Sequence, residues 1–254
     1  MATTSIDLNS DMGEAYGAWR MGPDSELLEL VTSANVACGF HAGDPLTIDK
    51  TVAAASKRGV AIGAHVSYPD LVGFGRRHLA VGHDELVADV LYQVGALDAF
   101  CRRYGGAVSY VKAHGALYND LADDAELAEA LGDAIGAYGA HLAVLTLAGS
   151  RSVEVLRGQG LRVLREGFAD RAYTPAGRLV SRRLPGAVIT DPATVADRGR
   201  RLALGEPIVD VDGGELVLEV DSLCVHSDTP GALELARALR RTLEDAGVAL
   251  AGLR

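Results

Sequence analysis

The sequence predicts an α/β fold in which about seven parallel strands close, or nearly close, into a barrel surrounded by helices. Three observations lead there. Short β-rich runs alternate with longer helical ones, the helical runs carry start and stop signals, and polar clusters recur where the strand-like runs end. Parallel strands need a helical crossover between neighbours, so a row of β-then-α units implies a parallel sheet covered by helices. At 254 residues a barrel is the first choice, and a doubly wound open sheet is the second.

The strand-like runs fall at 5–8, 31–37, 60–65, 108–112, 141–146, 162–166 and 219–225. The clearest helix is expected over 84–104, where Leu86, Val90, Leu97 and Cys101 belong to an apolar series at helical spacing and Gly105-Gly106 supplies the stop. The runs 45–58 and 230–246 start with Pro and finish just before Gly59 and Gly247, the usual asymmetry of helix ends. Residues 208–220 place Asp212-Gly213-Gly214 between two apolar runs and read as a hairpin. No linker, charge block or low-complexity tract divides the chain, so residues 1–254 are expected to form a single α/β barrel domain.

Composition narrows the function. A hydrophobic content of 48% supplies a substantial core. The net charge of -10, with basic pairs scattered through the chain, argues against a nucleic-acid partner, which would call for a basic stripe. No run of about 18 apolar residues and no charged-then-apolar leader occurs, so no membrane span and a cytoplasmic location are expected. Cys38, Cys101 and Cys224 are too far apart for a C-x-x-C site and read as buried fillers, with a site-wall role open to Cys38 and Cys224.

In either architecture ligand chemistry collects at the C-terminal ends of the strands. The polar clusters lie there. They are Asp7 through Glu14, Asn35 through Asp44, His65 through Arg77, Lys112 through Asn119, Glu166 through Arg171, and His226 through Asp228. Singly, such residues are ordinary loop or capping groups; Asp44 before Pro45 suits a helix N-cap, and Asp70 suits a turn brace. Jointly, six clusters at one end of one sheet imply a shared site. His78, His83 and His141 lack that context and are read as surface or loop residues.

The inventory points to acid/base work on a carboxylate or carbonyl substrate. His41, His65, His114 and His226 titrate near neutrality, Asp7, Asp11, Asp44, Glu166, Asp170 and Asp228 supply carboxylates, and Lys112, Arg76, Arg171 and Arg182 can hold an anion. Two site types remain open from the residues alone: a divalent metal that activates water, or metal-free pairs in which Asp orients His. There is neither a G-x-S-x-G elbow nor a P-loop.

The strings DLNSDMGEAYG, TSANVACGFHAGDP, GAHVSYPDLVGFGRR, YQVGAL, VKAHGALYN, EGFADRAY and CVHSDTPGA resemble, in order, the successive motifs of the LamB/YcsF family, over nearly the whole chain. The resemblance implies a deformed (β/α) barrel of the glycoside hydrolase/deacetylase type. It also implies a part in the ATP-dependent opening of 5-oxo-L-proline to L-glutamate by 5-oxoprolinase, with Mg as the companion of ATP, a bound metal left open, and partner subunits B and C. A homo-oligomer is compatible with this.

On that basis His41, Asp44, His65, His114, Asp11, His226 and Asp228 are the expected catalytic groups. Asp7, Asn9, Lys112, Glu166, Asp170, Arg171 and Arg76 are the expected substrate-binding groups. Ser10-Asp11, Val66-Ser67, Lys112-Ala113-His114 and His226-Ser227-Asp228 depart from the family pattern, which has Cys-Asp, Pro-Gly, Lys-Pro-His and His-Gly-Asp there; the ionisable residues are retained. The alternatives are a metal-dependent deacetylase or hydrolase of carbohydrate-like substrates, and a non-catalytic substrate-binding subunit.

Overall fold

The computed structural model describes residues 5–139, 141–227, 229 and 231–253. Strands β1 (Ser5–Met12), β2 (Ser33–Ala37), β3 (Ala61–Val66), β4 (Tyr110–Ala113), β5 (Ala143–Leu147) and β6 (Arg162–Phe168) pair in sequence order, all parallel. An antiparallel hairpin follows, β7 (Ile208–Val209) and β8 (Glu215–Leu216), at the place the Asp212-Gly213-Gly214 turn predicts. The next strand, β9 (Ser222–Cys224), lies between β6 and β1 and pairs in parallel with both, so seven strands close the ring. A short β10 (Ala249–Leu250) adds beside the start of β1. The sheet is the closed barrel, and the open doubly wound alternative is excluded.

The helices are α1 (Asp24–Leu27), α2 (Pro45–Arg58), α3 (His83–Arg103), α4 (Gly115–Asp123), α5 (Ala125–Tyr138), α6 (Arg151–Gly158), α7 (Pro192–Leu204) and α8 (Ala232–Asp245). Their ends follow from the residues there. Asp44 caps α2 by accepting from the Leu46 and Thr47 amides, Pro45 fills the first turn, and Gly59 ends the helix in the left-handed region at φ 67°. A cap of this kind stabilises a helix by about 1 kcal/mol. Helix α3 buries Leu86, Val90, Val94, Leu97 and Cys101 on one face, the stripe its spacing predicts. No helix among the described residues is long and apolar enough to cross a membrane.

Strand β1 runs four residues past its expected end. Alternation decides which side each residue serves. Ile6, Leu8 and Met12 join the apolar core, while Asp7, Asn9 and Asp11 reach polar partners on other strands inside the barrel. The lumen is therefore a polar column, floored by a small apolar cluster of Tyr110, Ala143, Leu145 and Leu253. Gly63 admits the Tyr110 ring to that floor, since a Cβ there would stand 2.2 Å from it.

Candidate active site

The polar column rises from the floor to the mouth. At its base Asp7 accepts hydrogen bonds from Thr32 (2.7 Å), Ser33 (2.6 Å) and Ser222 (2.5 Å). Burial pushes its carboxyl up to about 6, against the lowering effect of those hydroxyls. Above it, the Asn9 amide donates to Glu166 (3.0 Å) and Ser222 (2.7 Å). Next comes Lys112, whose Nζ lies 2.8 Å from Glu166 Oε1, 3.0 Å from Asp11 Oδ1 and 3.3 Å from Cys224 Sγ. Burial alone would lower the ammonium, but the Asp11 and Glu166 carboxylates outweigh it and hold it well above the usual lysine range. Burial likewise keeps the Cys224 thiol protonated, with Lys112 opposing only in part. Glu166 is completed by the Tyr118 hydroxyl at 2.7 Å.

At the mouth, the end of β3 and the loops after β1, β2 and β4 bring one cluster together. His41 and His114 stack with ring centroids 3.8 Å apart, and His65 meets each edge-on. Glu14 Oε1 is 3.2 Å from His41 Nε2, 3.2 Å from His114 Nδ1 and 3.9 Å from His65 Nε2. All four side chains are at most 5% exposed. Burial alone would raise the Glu14 carboxyl, but its contacts with His114 and His41 outweigh it and hold it well below the carboxylate range. Burial, with His114 adding to it, lowers His41 to about 3. The turn over these rings needs a glycine: Gly75 has φ +63°, and a Cβ on it would sit 2.8 Å from the His114 ring and 2.9 Å from His41. Asp70 braces that turn through the Gly73 amide (2.9 Å) and the Arg77 guanidinium.

Across the mouth, His226 stacks on Phe168 and points Nδ1 at Asp170 Oδ2, 2.8 Å away. Burial tends to raise Asp170, but His226 outweighs it and lowers the carboxyl. The other oxygen, Asp170 Oδ1, is buried without a hydrogen-bond partner among the described residues. Arg171 is buried beside it and donates to the carbonyls of Ala187 (3.2 Å) and Val180 (2.6 Å), so it also anchors the 172–189 segment. That segment brings Arg178, Arg182 and Arg183 to the wall of a cleft of about 650 Å³. Asp11, His65, His114, Lys112, Arg76 and His226 line the same cleft. Arg76 also lies over the Phe74 ring at 5.1 Å.

The structure thus gathers His41, His65, His114, Asp11, Lys112, His226, Asp170, Arg171 and Arg76 at or under one mouth. Four expected residues stand elsewhere. Asp44 is a helix cap: its oxygens accept from Gly17, Leu46 and Thr47, and it does not join the cluster. Asp7 belongs to the base of the column and Asn9 and Glu166 to its middle, beneath Lys112, and none of the three lines the cleft. Asp228 lies outside the described residues, and the carboxylate seen on His226 is Asp170. His78, His83 and His141 are exposed.

Sequence reasoning did not single out Glu14, Tyr118 or Phe168. Glu14 closes the first polar cluster and follows Gly13, whose φ of 68° turns the loop back toward the mouth.

A closed seven-stranded parallel α/β barrel of this kind is the fold also found in deacetylases. A family 4 carbohydrate esterase from Streptomyces lividans shares that fold at TM-score 0.52 and 11% identity, covering 98% of this chain and 93% of the esterase. The chain belongs to the LamB/YcsF family, whose model matches residues 6–254. A lactam utilization protein from Thermus thermophilus superposes at TM-score 0.93 with 47% identity, over 98% of this chain and 99% of that one. A Pseudomonas syringae pv. tomato protein, named as the A subunit of 5-oxoprolinase, is 55% identical over 246 residues, 97% of this chain and 96% of its own length.

Proposed function

We propose that this chain is the A subunit of an ATP-dependent 5-oxoprolinase, a cyclic amide hydrolase that opens 5-oxo-L-proline to L-glutamate together with partner subunits B and C. The observation that carries this reading is the cleft with two unlike walls. Arg171, Arg178, Arg182 and Arg183 face an imidazole and carboxylate wall of His65, His114 and Asp11. A small lactam bearing one carboxylate fits such a cleft, since guanidinium groups recognise carboxylates. The near full-length similarity to proteins named for 5-oxoprolinase and for lactam utilization supports the same reading.

The lactam is an unstrained amide. Phosphorylation of its oxygen by ATP, with Mg as the companion ion, makes the ring carbon electrophilic; water then adds to that carbon, the ring nitrogen leaves after taking a proton, and the acyl phosphate so formed is hydrolysed by a second water to L-glutamate and inorganic phosphate. His226 is built for the proton transfers. Its Nδ1 proton is held by Asp170, which leaves Nε2 to take a proton from water and pass it to nitrogen. Arg171 and Arg182 hold the substrate carboxylate, and the Lys112 ammonium supplies fixed positive charge beneath the carbonyl. Part of the phosphate handling falls to the partners, in keeping with a chain that carries no P-loop, and an ATP-consuming reaction suits a cytoplasmic location.

The test is reconstitution. The purified chain, subunits B and C, ATP and Mg should release glutamate from 5-oxoproline, and omission of this chain should abolish release. Absence of glutamate from the complete mixture overturns the proposal.

A further inference from the structure

The three clustered imidazoles have their tautomers fixed by what holds their outer nitrogens. Ser67 Oγ gives its single proton to the Tyr68 carbonyl (2.7 Å), so it can only accept from His41 Nδ1 (3.1 Å). His65 Nδ1 faces the Lys112 carbonyl at 3.2 Å, and His114 Nε2 faces the Phe74 carbonyl at 2.9 Å. A carbonyl can only accept, so each of these nitrogens carries a proton. In the neutral ring the remaining nitrogens, His41 Nε2, His65 Nε2 and His114 Nδ1, are bare lone pairs.

Those lone pairs converge on one another and on a carboxylate. His65 Nε2 is 3.0 Å from His114 Nδ1, and Glu14 Oε1 is 3.2 Å from both His114 Nδ1 and His41 Nε2. The four atoms all lie within 4.8 Å of one another. Electron pairs at such distances repel, so the arrangement calls for positive charge at its centre. Lys112 does not supply it, because its ammonium is directed to Asp11 and Glu166.

Three of these distances, 3.0, 3.2 and 3.2 Å, are those a metal ion sets between its ligands. A tetrahedral zinc ion with bonds of about 2.0–2.1 Å sets its ligand atoms about 3.3 Å apart. Acceptors that orient the far nitrogen of every imidazole are also the usual outer shell of a metal site. A second group, Asp11, Cys224 and His226, is close enough to hold an ion. There the Lys112 ammonium already sits 3.0 Å from Asp11 and 3.3 Å from Cys224, and its charge excludes a cation.

We infer that Glu14, His41, His65 and His114 bind one divalent first-row transition ion of the zinc class. Imidazole with a single carboxylate favours such an ion over magnesium or calcium, which take oxygen ligands. Since His65 and His114 also line the cleft, the ion is within reach of a substrate carbonyl or water. The inference does not depend on which substrate the cleft takes.

The experiment is metal analysis of the full chain, freed of metal by a chelator and reloaded with Zn²⁺ or Co²⁺. About one ion per chain is expected, with the visible absorption of four-coordinate Co²⁺. At a hundredfold excess over Kd the melting midpoint should rise by about 5 °C or more. Glu14→Gln and His114→Ala should lose the ion, while His83→Ala, at an exposed site, should keep it. No retained ion, no Co²⁺ band and no thermal shift in the wild-type chain overturn the inference and leave protons as the charge that holds the cluster. The wild-type measurement decides even where a variant does not fold.

Discussion

On the side of the mouth built by the end of β3 and the loops after β1, β2 and β4, three imidazoles and Glu14 are buried against one another, and every ring nitrogen has a fixed neighbour. On the side built after β6 and β9, one imidazole is held by one carboxylate, and guanidinium groups line the space beside it. The first side concentrates lone pairs and attracts a cation. The second concentrates N–H donors and attracts an anion. A substrate with a carboxylate at one end and an electrophilic carbonyl at the other spans the two, and that polarity is what a barrel with identical loops could not offer. Lys112 stands under the boundary and joins the halves electrostatically.

Four changes break or sharpen this contrast. The largest effect is expected from Asp170→Asn, which replaces the carboxylate that orients His226 with an amide whose NH2 can donate to Nδ1 and fix the other tautomer. The value of kcat should fall by about 10²–10⁴-fold with KM nearly unchanged, as loss of a positioned acid/base does. An equal rise in KM would make Asp170 a binding group. Lys112→Met comes next. It strands Asp11 and Glu166 as uncompensated buried carboxylates, and urea denaturation should show a loss of about 3–5 kcal/mol. A loss below about 1 kcal/mol, the scale of an exposed pair, would mean that the column is wet.

A smaller effect belongs to Asp7, far below either half. Its native carboxyl is raised by burial from 3.8 to about 6. Between those values the native state holds a proton that the unfolded state releases, so stability falls as pH rises through that window. The contribution is at most about 3 kcal/mol, at 1.36 kcal/mol per pH unit. Denaturation from pH 4 to pH 7 should show wild type losing ground to Asp7→Asn across that range; a flat difference would mean that the carboxyl ionises freely. The smallest expected signal is chemical. Cys38, Cys101 and Cys224 are at most 2% exposed, and burial raises each thiol, so native protein should resist alkylation at neutral pH. Rapid labelling of Cys224 would show that the cleft opens to the column.

The fold is legible where local signals agree with the global one. Asp44-Pro45 and Gly59 bound α2, and the apolar stripe from Leu86 to Cys101 is α3, because capping and periodicity are properties of neighbouring residues. Strand β1 outruns its sequence signal by four residues for a physical reason: in a barrel with a polar lumen, Asn9 and Asp11 occupy strand positions but look like loop. Asp44 looks like a site residue for the converse reason, since a carboxylate in a helix cap cannot be told by sequence from one in a cleft.

The partners of the site are least legible. Glu14 meets His114 from the opposite end of four βα units, and His226 meets Asp170 across 56 residues. Closure of the barrel makes both pairs, and no local pattern encodes them. The tautomer-fixing acceptors are harder still, because two of the three are backbone carbonyls.

The most direct test of the two-walled cleft is steady-state kinetics of the reconstituted enzyme on two lactams, 5-oxoproline and 2-pyrrolidinone, which lacks the carboxylate. Arg182→Ala should raise KM for 5-oxoproline by about 10–100-fold, the scale of a charge-assisted hydrogen bond, and leave 2-pyrrolidinone unaffected. His226→Ala should lower kcat for both. Equal effects of Arg182→Ala on the two lactams would contradict the account.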